Sequence, residues 1–85
     1  MTEISAINIA RILKIHRKKS GLSQKALAEL AGVGKNVVFD IEKGKTSFQM
    51  DSLLKIIHVL NIQLYANGPF ISEIKEIDDA ESKSI

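Results

Sequence analysis

Residues 22–44 read LSQKALAELAGVGKNVVFDIEKG and predict two short helices joined by a tight turn. Ser23 is a favourable N-cap for the first helix, because its hydroxyl can accept a hydrogen bond from a backbone amide of the first turn. The AGVG sequence at residues 31–34 ends that helix, and Gly34 is a weak N-cap for the second. Gly44 ends the second helix, because glycine readily adopts the left-handed conformation that follows a helix C-terminus.

The apolar positions of these two helices form one stripe on each. Leu27, Leu30 and Ala31 form the stripe of the first helix, and Val38 and Ile41 form that of the second. Helices this short are not stable alone, so each must pack on the other and on the rest of the chain. This arrangement is typical of a helix-turn-helix unit, whose second helix lies in the major groove of DNA.

Two further helices are predicted on either side of this unit. The first is expected from about residue 4 to residue 20, with a buried face made of Ile9, Ile12, Leu13 and His16. The other is expected from about residue 50 to residue 60, with a buried face made of Leu53, Ile56, Ile57 and Leu60. Asn61 follows where a left-handed residue is favourable. The predicted fold class is therefore all-α, with four helices.

After the last helix, the apolar residues change to a period of two. The alternation of apolar and polar residues over 62–66 predicts a short strand, made of Ile62, Gln63, Leu64, Tyr65 and Ala66. A lone strand in a helical domain has no partner within its own chain, so we expect it to pair with the same strand of a second copy across a two-fold axis. The alternative is an extended, solvated segment lying on the last helix.

The chain has 85 residues, which suffice for one domain with a small core. We assign residues 1–71 to the helix-turn-helix and dimerisation domain and residues 72–85 to an acidic tail, which we expect to be disordered when the protein is alone. The absence of cysteine excludes disulfides, thiolate metal sites and thiol nucleophiles. No apolar run is long enough to cross a membrane and no signal peptide is recognised, so we expect a cytoplasmic, nucleoid-associated bacterial protein.

Charge is distributed unevenly along the chain. Between Arg11 and Lys45 there are nine lysines and arginines but three acidic residues, whereas five acidic residues and two lysines follow from Glu73 onward. A basic body favours a polyanionic partner. Lys-rich faces also occur on soluble domains without such a partner, so charge alone does not decide between the two.

No constellation typical of an enzyme is recognised. The two histidines, His16 and His58, are expected on different helices without ligand-like neighbours, and we interpret them as half-buried helix residues. The sequence has no glycine-rich phosphate loop after a strand and no HExxH motif. We therefore expect no catalysis, no metal and no cofactor.

Nine residues are candidates for contacts with double-stranded DNA. The base contacts are assigned to the side of the second helix that faces away from its apolar stripe, which carries Lys35, Asn36, Phe39 and Asp40. Lysine can reach guanine, asparagine can pair with adenine, aspartate can accept from cytosine, and an apolar ring can pack on a thymine methyl group. Phosphate contacts are assigned to Ser23, Gln24, Lys43, Lys45 and Thr46.

Two of these assignments keep alternatives. Phe39 could be a stray surface residue or a partner contact, and Asp40 could pair with a lysine.

Arg17 and Glu42 form a further candidate pair, because the first helix should cross the second helix of the unit and both residues lie at the edges of apolar stripes. A partly buried ion pair there would hold the recognition helix in place; the alternative is two solvated side chains that never meet.

From about residue 9 to residue 64 the sequence resembles the Xre-type (Cro and phage-repressor-like) helix-turn-helix family. The resemblance is carried by GLSQ at 21–24, LA at 27–28, AGV at 31–33, Val38, IEKG at 41–44, LL at 53–54 and LNI at 60–62. It implies a lambda-repressor-like all-α DNA-binding fold of four to five helices. It also implies base contacts from residues 35, 36 and 40, a phosphate or base contact from Gln24, and a salt bridge between Arg17 and Glu42. The family often has Ser or Thr where Gly34 stands, and Pro where Phe48 stands.

Residues 31–45 and 53–62 are similar to those of small HipB-like antitoxins of toxin-antitoxin systems. That resemblance implies a homodimer joined by the short strand, an operator in the protein's own promoter, and a complex with a HipA-like serine/threonine kinase toxin. A stand-alone Xre-type repressor and a protein-binding adaptor that does not read DNA are the alternatives. The basic residues expected to face the groove argue against the adaptor.

Overall fold

A computed structural model describes residues 3–74, which form four α-helices followed by a short 3-10 helix. The helices are α1 (Ala6–Lys19), α2 (Gln24–Ala31), α3 (Lys35–Glu42) and α4 (Met50–Val59), and the 3-10 helix is Ile71–Glu73. The predicted all-α fold is confirmed. The ends of α1 and α4 lie within two residues of the predicted bounds, and α2 and α3 begin and end where their cap residues indicate.

Serine hydroxyls cap the first two helices. Ser5 Oγ accepts a hydrogen bond from the Asn8 amide at 3.2 Å, which satisfies a donor in the first turn of α1. At the start of α2, Ser23 Oγ accepts one from the Ala26 amide at 3.0 Å. These bonds fix where each helix begins. In particular, they set the N-terminus of α2 directly after the loop that follows α1.

Left-handed residues end the helices of the central unit. Gly32 follows α2 with φ 72° and Gly44 follows α3 with φ 87°. Both values lie in the region that costs glycine little and most other residues more. Asn61 follows α4 with φ 61°, as its position predicts. The chain therefore reverses sharply after each of these helices, which allows the four to pack around one core.

The core lies between all four helices. Its buried members are Ile9, Leu13, Leu27, Ala28, Val38, Ile41, Leu53, Ile56, Ile57 and Leu60. α2 packs against both α3 and α4, and α1 packs against α3. The buried face predicted for α4 is observed in full. α3 contributes Val38 and Ile41 to this core, Val37 packs against it, and the Glu42 side chain is buried beside Arg17. The side of α3 left to solvent or to a partner carries the other four residues, Lys35, Asn36, Phe39 and Asp40.

Three positions predicted to be buried or half-buried are exposed. Leu30 is 63% exposed, because α2 packs on α3 and α4 with Leu27 and Ala28 as its buried residues, and Leu30 lies on the opposite side of Leu27 from Ala28 around the helix. His16 and His58 are exposed on α1 and α4. The Nδ1 atom of His16 lies 2.7 Å from the carbonyl oxygen of Ile12, one turn earlier in the same helix. The predictions that Leu30 and His16 lie on apolar faces and that His16 and His58 are half-buried are therefore wrong.

Residues 62–66 form no strand in the single chain, and the described residues contain no strand for them to pair with. The Ile62 amide donates to the Ile57 carbonyl at 2.9 Å, and Ile62 packs against the core. The following side chains border an open groove of about 430 Å³ beside α1, lined in part by Ile4, Ile12, Leu64 and Tyr65. Pairing of residues 62–66 with a second copy of the chain therefore stays a prediction.

Most of the predicted acidic tail, residues 75–85, lies outside the described residues.

Candidate nucleic-acid interface

The helix α3 presents two different sides. Val38 and Ile41 are 0% and 1% exposed and anchor the helix in the core. Lys35 and Asn36 occupy its first turn and are exposed. No side chain caps this end, because the N-cap residue is Gly34. The first turn of α3 therefore combines backbone N–H groups with two polar side chains that can hydrogen-bond to base edges.

Two side chains in the second turn of α3, Phe39 and Asp40, lie beside lysines that follow the helix. Phe39 is 44% exposed, and Lys43 Nζ lies 4.9 Å from the centroid of its ring, within the range of a cation–π contact. Asp40 Oδ2 lies 3.6 Å from Lys45 Nζ. Asp40 thus lies beside a lysine, one of the two alternatives that the sequence left open. Thr46 is exposed in the loop that follows.

At the N-terminus of α2, the two candidate side chains are already hydrogen-bonded within the protein. Ser23 Oγ is the helix cap. Gln24 is half-buried, and its Nε2 donates to Glu42 Oε1 at 3.2 Å. The sequence did not predict this bond, because it depends on how two helix ends separated by 18 residues meet. It brings the start of α2 against the end of α3, so both face the same region of the surface.

Arg17 and Glu42 form a two-fold hydrogen-bonded ion pair at this junction. Arg17 Nε donates to Glu42 Oε2 at 2.6 Å and Nη2 donates to Oε1 at 3.0 Å, the paired geometry that suits guanidinium and carboxylate. The two side chains are 10% and 3% exposed. The remaining nitrogen, Nη1, donates to the Leu22 carbonyl at 2.8 Å. One arginine of α1 therefore holds the α1–α2 loop and the end of α3 together.

The pKa of the Arg17 guanidinium is raised above its ordinary value because it donates hydrogen bonds to the Glu42 carboxylate. Burial acts in the opposite direction, and the charge of Glu42 adds to the rise. Arginine is already protonated at any pH at which proteins fold, so the ion pair does not gain or lose its positive charge in that range.

Beside this junction, a surface groove of about 240 Å³ separates α1 from the end of α3. Arg11 and Lys14 line it from α1, and Lys43 and Gly44 line it from the other side. Arg11 and Lys14 were not among the DNA contacts expected from the sequence. The crossing of α1 over α3 was expected, but not which α1 side chains would lie beside the end of α3.

The described residues show no sign of a metal or membrane site. Within residues 3–74, no three His, Cys, Asp or Glu side chains lie close enough together to hold a metal ion. No helix in this part of the chain is both long and apolar enough to traverse a lipid bilayer. The polar groups that the fold does bring together are those around the ends of α2 and α3.

Comparisons with known proteins also indicate a helix-turn-helix protein. The helix-turn-helix family model HTH_3 matches residues 13–66. The uncharacterized HTH-type transcriptional regulator y4mF of Sinorhizobium fredii is 33% identical over 62 residues, which cover 73% of this chain and 82% of that protein. An uncharacterized HTH-type transcriptional regulator of Haemophilus influenzae is 44% identical over 41 residues, which cover 48% of this chain and 42% of that protein.

Two solved structures share the fold. One is described as MDT Protein and the other is a chain of the HipA-HipB-O2-O3 complex. Each superposes with a TM-score of 0.72 at 19% identity and covers 81% of this chain and 97% of its own. These matches confirm the predicted Xre-type family and HipB-like fold. The chain belongs to the HTH_3 helix-turn-helix family of transcriptional regulators.

Proposed function

We propose that this protein is a sequence-specific transcriptional repressor that inserts α3 into the major groove of its operator. The observation that carries the proposal is the division of α3 into a buried side, with Val38 and Ile41, and an exposed first turn, with Lys35 and Asn36. Membership of the helix-turn-helix family supports this placement, because the second helix of the unit is the one that enters the groove.

In this proposal, the exposed side of α3 reads the bases. Lys35 donates to the guanine acceptors and Asn36 pairs with an adenine edge. Phe39 offers an apolar surface to a thymine methyl group, and Lys43 restrains its ring from above. Asp40 orients Lys45 toward the backbone rather than reading cytosine, because the two lie 3.6 Å apart.

Phosphate contacts come from the ends of α2 and α3. Ser23 Oγ accepts from the Ala26 amide, which leaves its O–H free to donate to a phosphate together with the unpaired backbone amides at the start of α2, while the Gln24 side chain is held by Glu42. Lys43, Lys45 and Thr46 are exposed beyond the end of α3 and supply the other. These contacts fix the register of the helix on DNA without reading sequence.

The repressor acts as a homodimer in which residues 62–66 of the two copies pair as antiparallel strands. The segment supports this proposal because it has no strand partner among the described residues of its own chain. Its exposed Leu64 and Tyr65 border the groove beside α1, which gives the second copy an apolar surface to cover. A symmetric dimer would read two half-sites about one helical turn of DNA apart.

We further propose that the protein is an antitoxin that represses its own promoter and binds a HipA-like serine/threonine kinase toxin. The support is the fold shared with a chain of the HipA-HipB-O2-O3 complex. Co-expression with the neighbouring reading frame tests this part. Co-purification of a kinase-like protein would support the antitoxin, whereas its absence would leave a repressor that acts alone.

Selection of DNA sites from a random duplex pool tests the repressor. The purified protein should enrich a palindromic site with two half-sites, because a two-fold dimer presents α3 twice. Enrichment of no sequence, with binding that depends only on duplex length, would contradict sequence-specific repression. Failure to bind any duplex would leave the protein-binding adaptor as the better account.

A further inference from the structure

Three basic residues follow one another along the exposed surface of α1. Arg11, Lys14 and Lys18 are spaced at i, i+3 and i+7, which places them on one face of the helix, and all three are exposed. We call them the α1 row. α1 contains no acidic residue, and the ion pairs within residues 3–74 are Arg17–Glu42 and Lys45–Asp40. No residue of the row therefore forms an ion pair with a carboxylate in this part of the chain.

One end of the α1 row lies beside the end of α3. Arg11 and Lys14 line the same groove as Lys43 and Gly44. Lys43 is one of the residues that the proposed function places at a phosphate. Glu42 also lines this groove, and its carboxylate is hydrogen-bonded to Arg17, so Arg11, Lys14 and Lys43 are the basic residues that border one groove.

The other end of the row lies beside the start of α2. The Lys18 carbonyl accepts from the Gly21 amide at 3.0 Å, and the Arg17 carbonyl accepts from the Leu22 amide at 3.2 Å. These bonds hold the last turn of α1 against the loop that leads into the α2 N-cap. The row thus passes both helix ends at which the proposed function expects phosphates.

We propose that the α1 row binds backbone phosphates of the same duplex, beyond those held by the ends of α2 and α3. This inference rests on the proposed function. Seven residues of helix separate Arg11 from Lys18, a distance of about 10 Å. One DNA strand carries a phosphate about every 3.4 Å of helix axis, so three flexible basic side chains spread over this length can each reach a separate phosphate.

The row contributes affinity and not sequence choice. The polar base-reading residues, Lys35 and Asn36, occupy the first turn of α3, and Lys43 lies about 12 Å from Lys35 along the helix axis. Arg11 and Lys14 lie at the Lys43 end. Their positions relative to α3 therefore suit the backbone at the edge of the groove and not the base edges inside it.

The test measures the salt dependence of binding to a random-sequence duplex of about 30 base pairs. The variants are the triple Arg11→Gln, Lys14→Gln, Lys18→Gln and the single Lys14→Gln. Lys55→Gln is the matched control, because Lys55 is exposed on α4, away from the α1–α3 groove. Glutamine is a good helix former and the residues are exposed, so we expect all variants to fold; a thermal melt checks this.

The slope of log K against log salt should fall by about 0.9 for each phosphate that the variant no longer neutralises, or nearly 3 per subunit in the triple variant. Affinity at 0.1 M salt should fall on the order of tenfold or more, and to the same extent for a selected operator as for random duplex. Lys55→Gln should keep the wild-type slope. A wild-type slope in the folded triple variant would overturn the inference.

Different results would contradict DNA binding by the protein and DNA binding by the α1 row. If the wild-type protein binds no duplex at all, the proposed function itself is wrong. If Lys35→Ala and Asn36→Ala alter binding while the triple variant behaves as wild type, the repressor stands and the α1 row has no part in DNA binding. A triple variant that loses affinity for one sequence alone would also contradict the inference, since phosphate contacts carry no sequence preference.

Discussion

At the scale of single residues, the Arg17–Glu42 pair determines how the recognition helix is held. Burial of two charges is costly and is offset here by hydrogen bonds from all three sides of the guanidinium, two to Glu42 and one to Leu22. The pair joins α1 to α3, and Gln24 joins α2 to the same carboxylate. Its role is to fix the orientation of α3 relative to the rest of the domain.

Glu42→Ala should destabilise the fold by about 3–5 kcal/mol, because it leaves the buried Arg17 guanidinium without a counter-charge. Chemical denaturation with urea measures this change. Asp40→Asn is the matched control: its pair with Lys45 is 39% and 55% exposed, and its loss should cost no more than about 1 kcal/mol. Equal effects of the two substitutions would show that the Arg17–Glu42 pair contributes no more than a surface pair.

At the scale of helices, local chemistry made the element bounds predictable. Ser23, Gly32 and Gly44 mark helix ends whose geometry depends only on nearby residues, and the structure places the ends there. Side-chain burial was less predictable. Leu30 follows the spacing of Leu27 but is 63% exposed, because its burial depends on which neighbouring helices reach that edge of α2.

In the candidate site, too, local features could be predicted from the sequence, whereas contacts between distant residues could not. The exposed first turn of α3 follows from the position of Val38 and Ile41 in the helical repeat, which the sequence contains. The contacts of Gln24 with Glu42 and of Lys43 with Phe39 depend on where helix and loop ends meet in space. The sequence supplied the residues for these contacts but not their partners.

Gly34→Ser should stabilise the fold by a few tenths of a kcal/mol, because a serine at the N-cap of α3 can accept from an amide of the first turn. The position has room: an added Cβ would meet Val37 Cγ2 at 3.8 Å, an ordinary contact. Gly32→Ser should instead destabilise by about 1 kcal/mol, because Gly32 has φ 72°. Thermal denaturation compares them, and a loss of stability in Gly34→Ser would refute the capping argument.

Two leucines of α2, one buried and one exposed, allow the contribution of core packing to stability to be compared within one helix. Leu27→Ala removes a side chain that is 0% exposed and should cost about 2–5 kcal/mol. Leu30→Ala removes one that is 63% exposed and should change stability by about 0.5 kcal/mol or less. Urea denaturation of both variants measures the difference. A large loss in Leu30→Ala would mean that a partner copy or another surface covers this leucine in solution.

At the scale of the whole molecule, residues 3–74 of one chain carry α3 once, and their segment 62–66 pairs with no strand among these residues. The proposed strand pairing would supply the second recognition helix, since residues 62–66 follow directly on α4 and border the groove beside α1. DNA binding and dimerisation are then linked through the core, because α4 packs on α2 and α2 packs on α3.

Leu64→Glu should convert the dimer to a monomer, because it places a charge on the surface that the second copy would cover. Leu64 is 44% exposed in the single chain, so the substitution should leave the fold intact. Leu54→Glu is the matched control, at 48% exposed on α4, and should stay dimeric. Sedimentation equilibrium distinguishes the two, and a dimeric Leu64→Glu would count against pairing through residues 62–66.

The exposed first turn of α3 is tested most directly by equilibrium binding of Lys35→Ala and Asn36→Ala to the operator selected by the wild-type protein. Each variant should lose about tenfold to a hundredfold in affinity for that operator and should tolerate substitutions at its own base position, with unchanged thermal stability. Wild-type affinity and unchanged base preference in both variants would contradict the account.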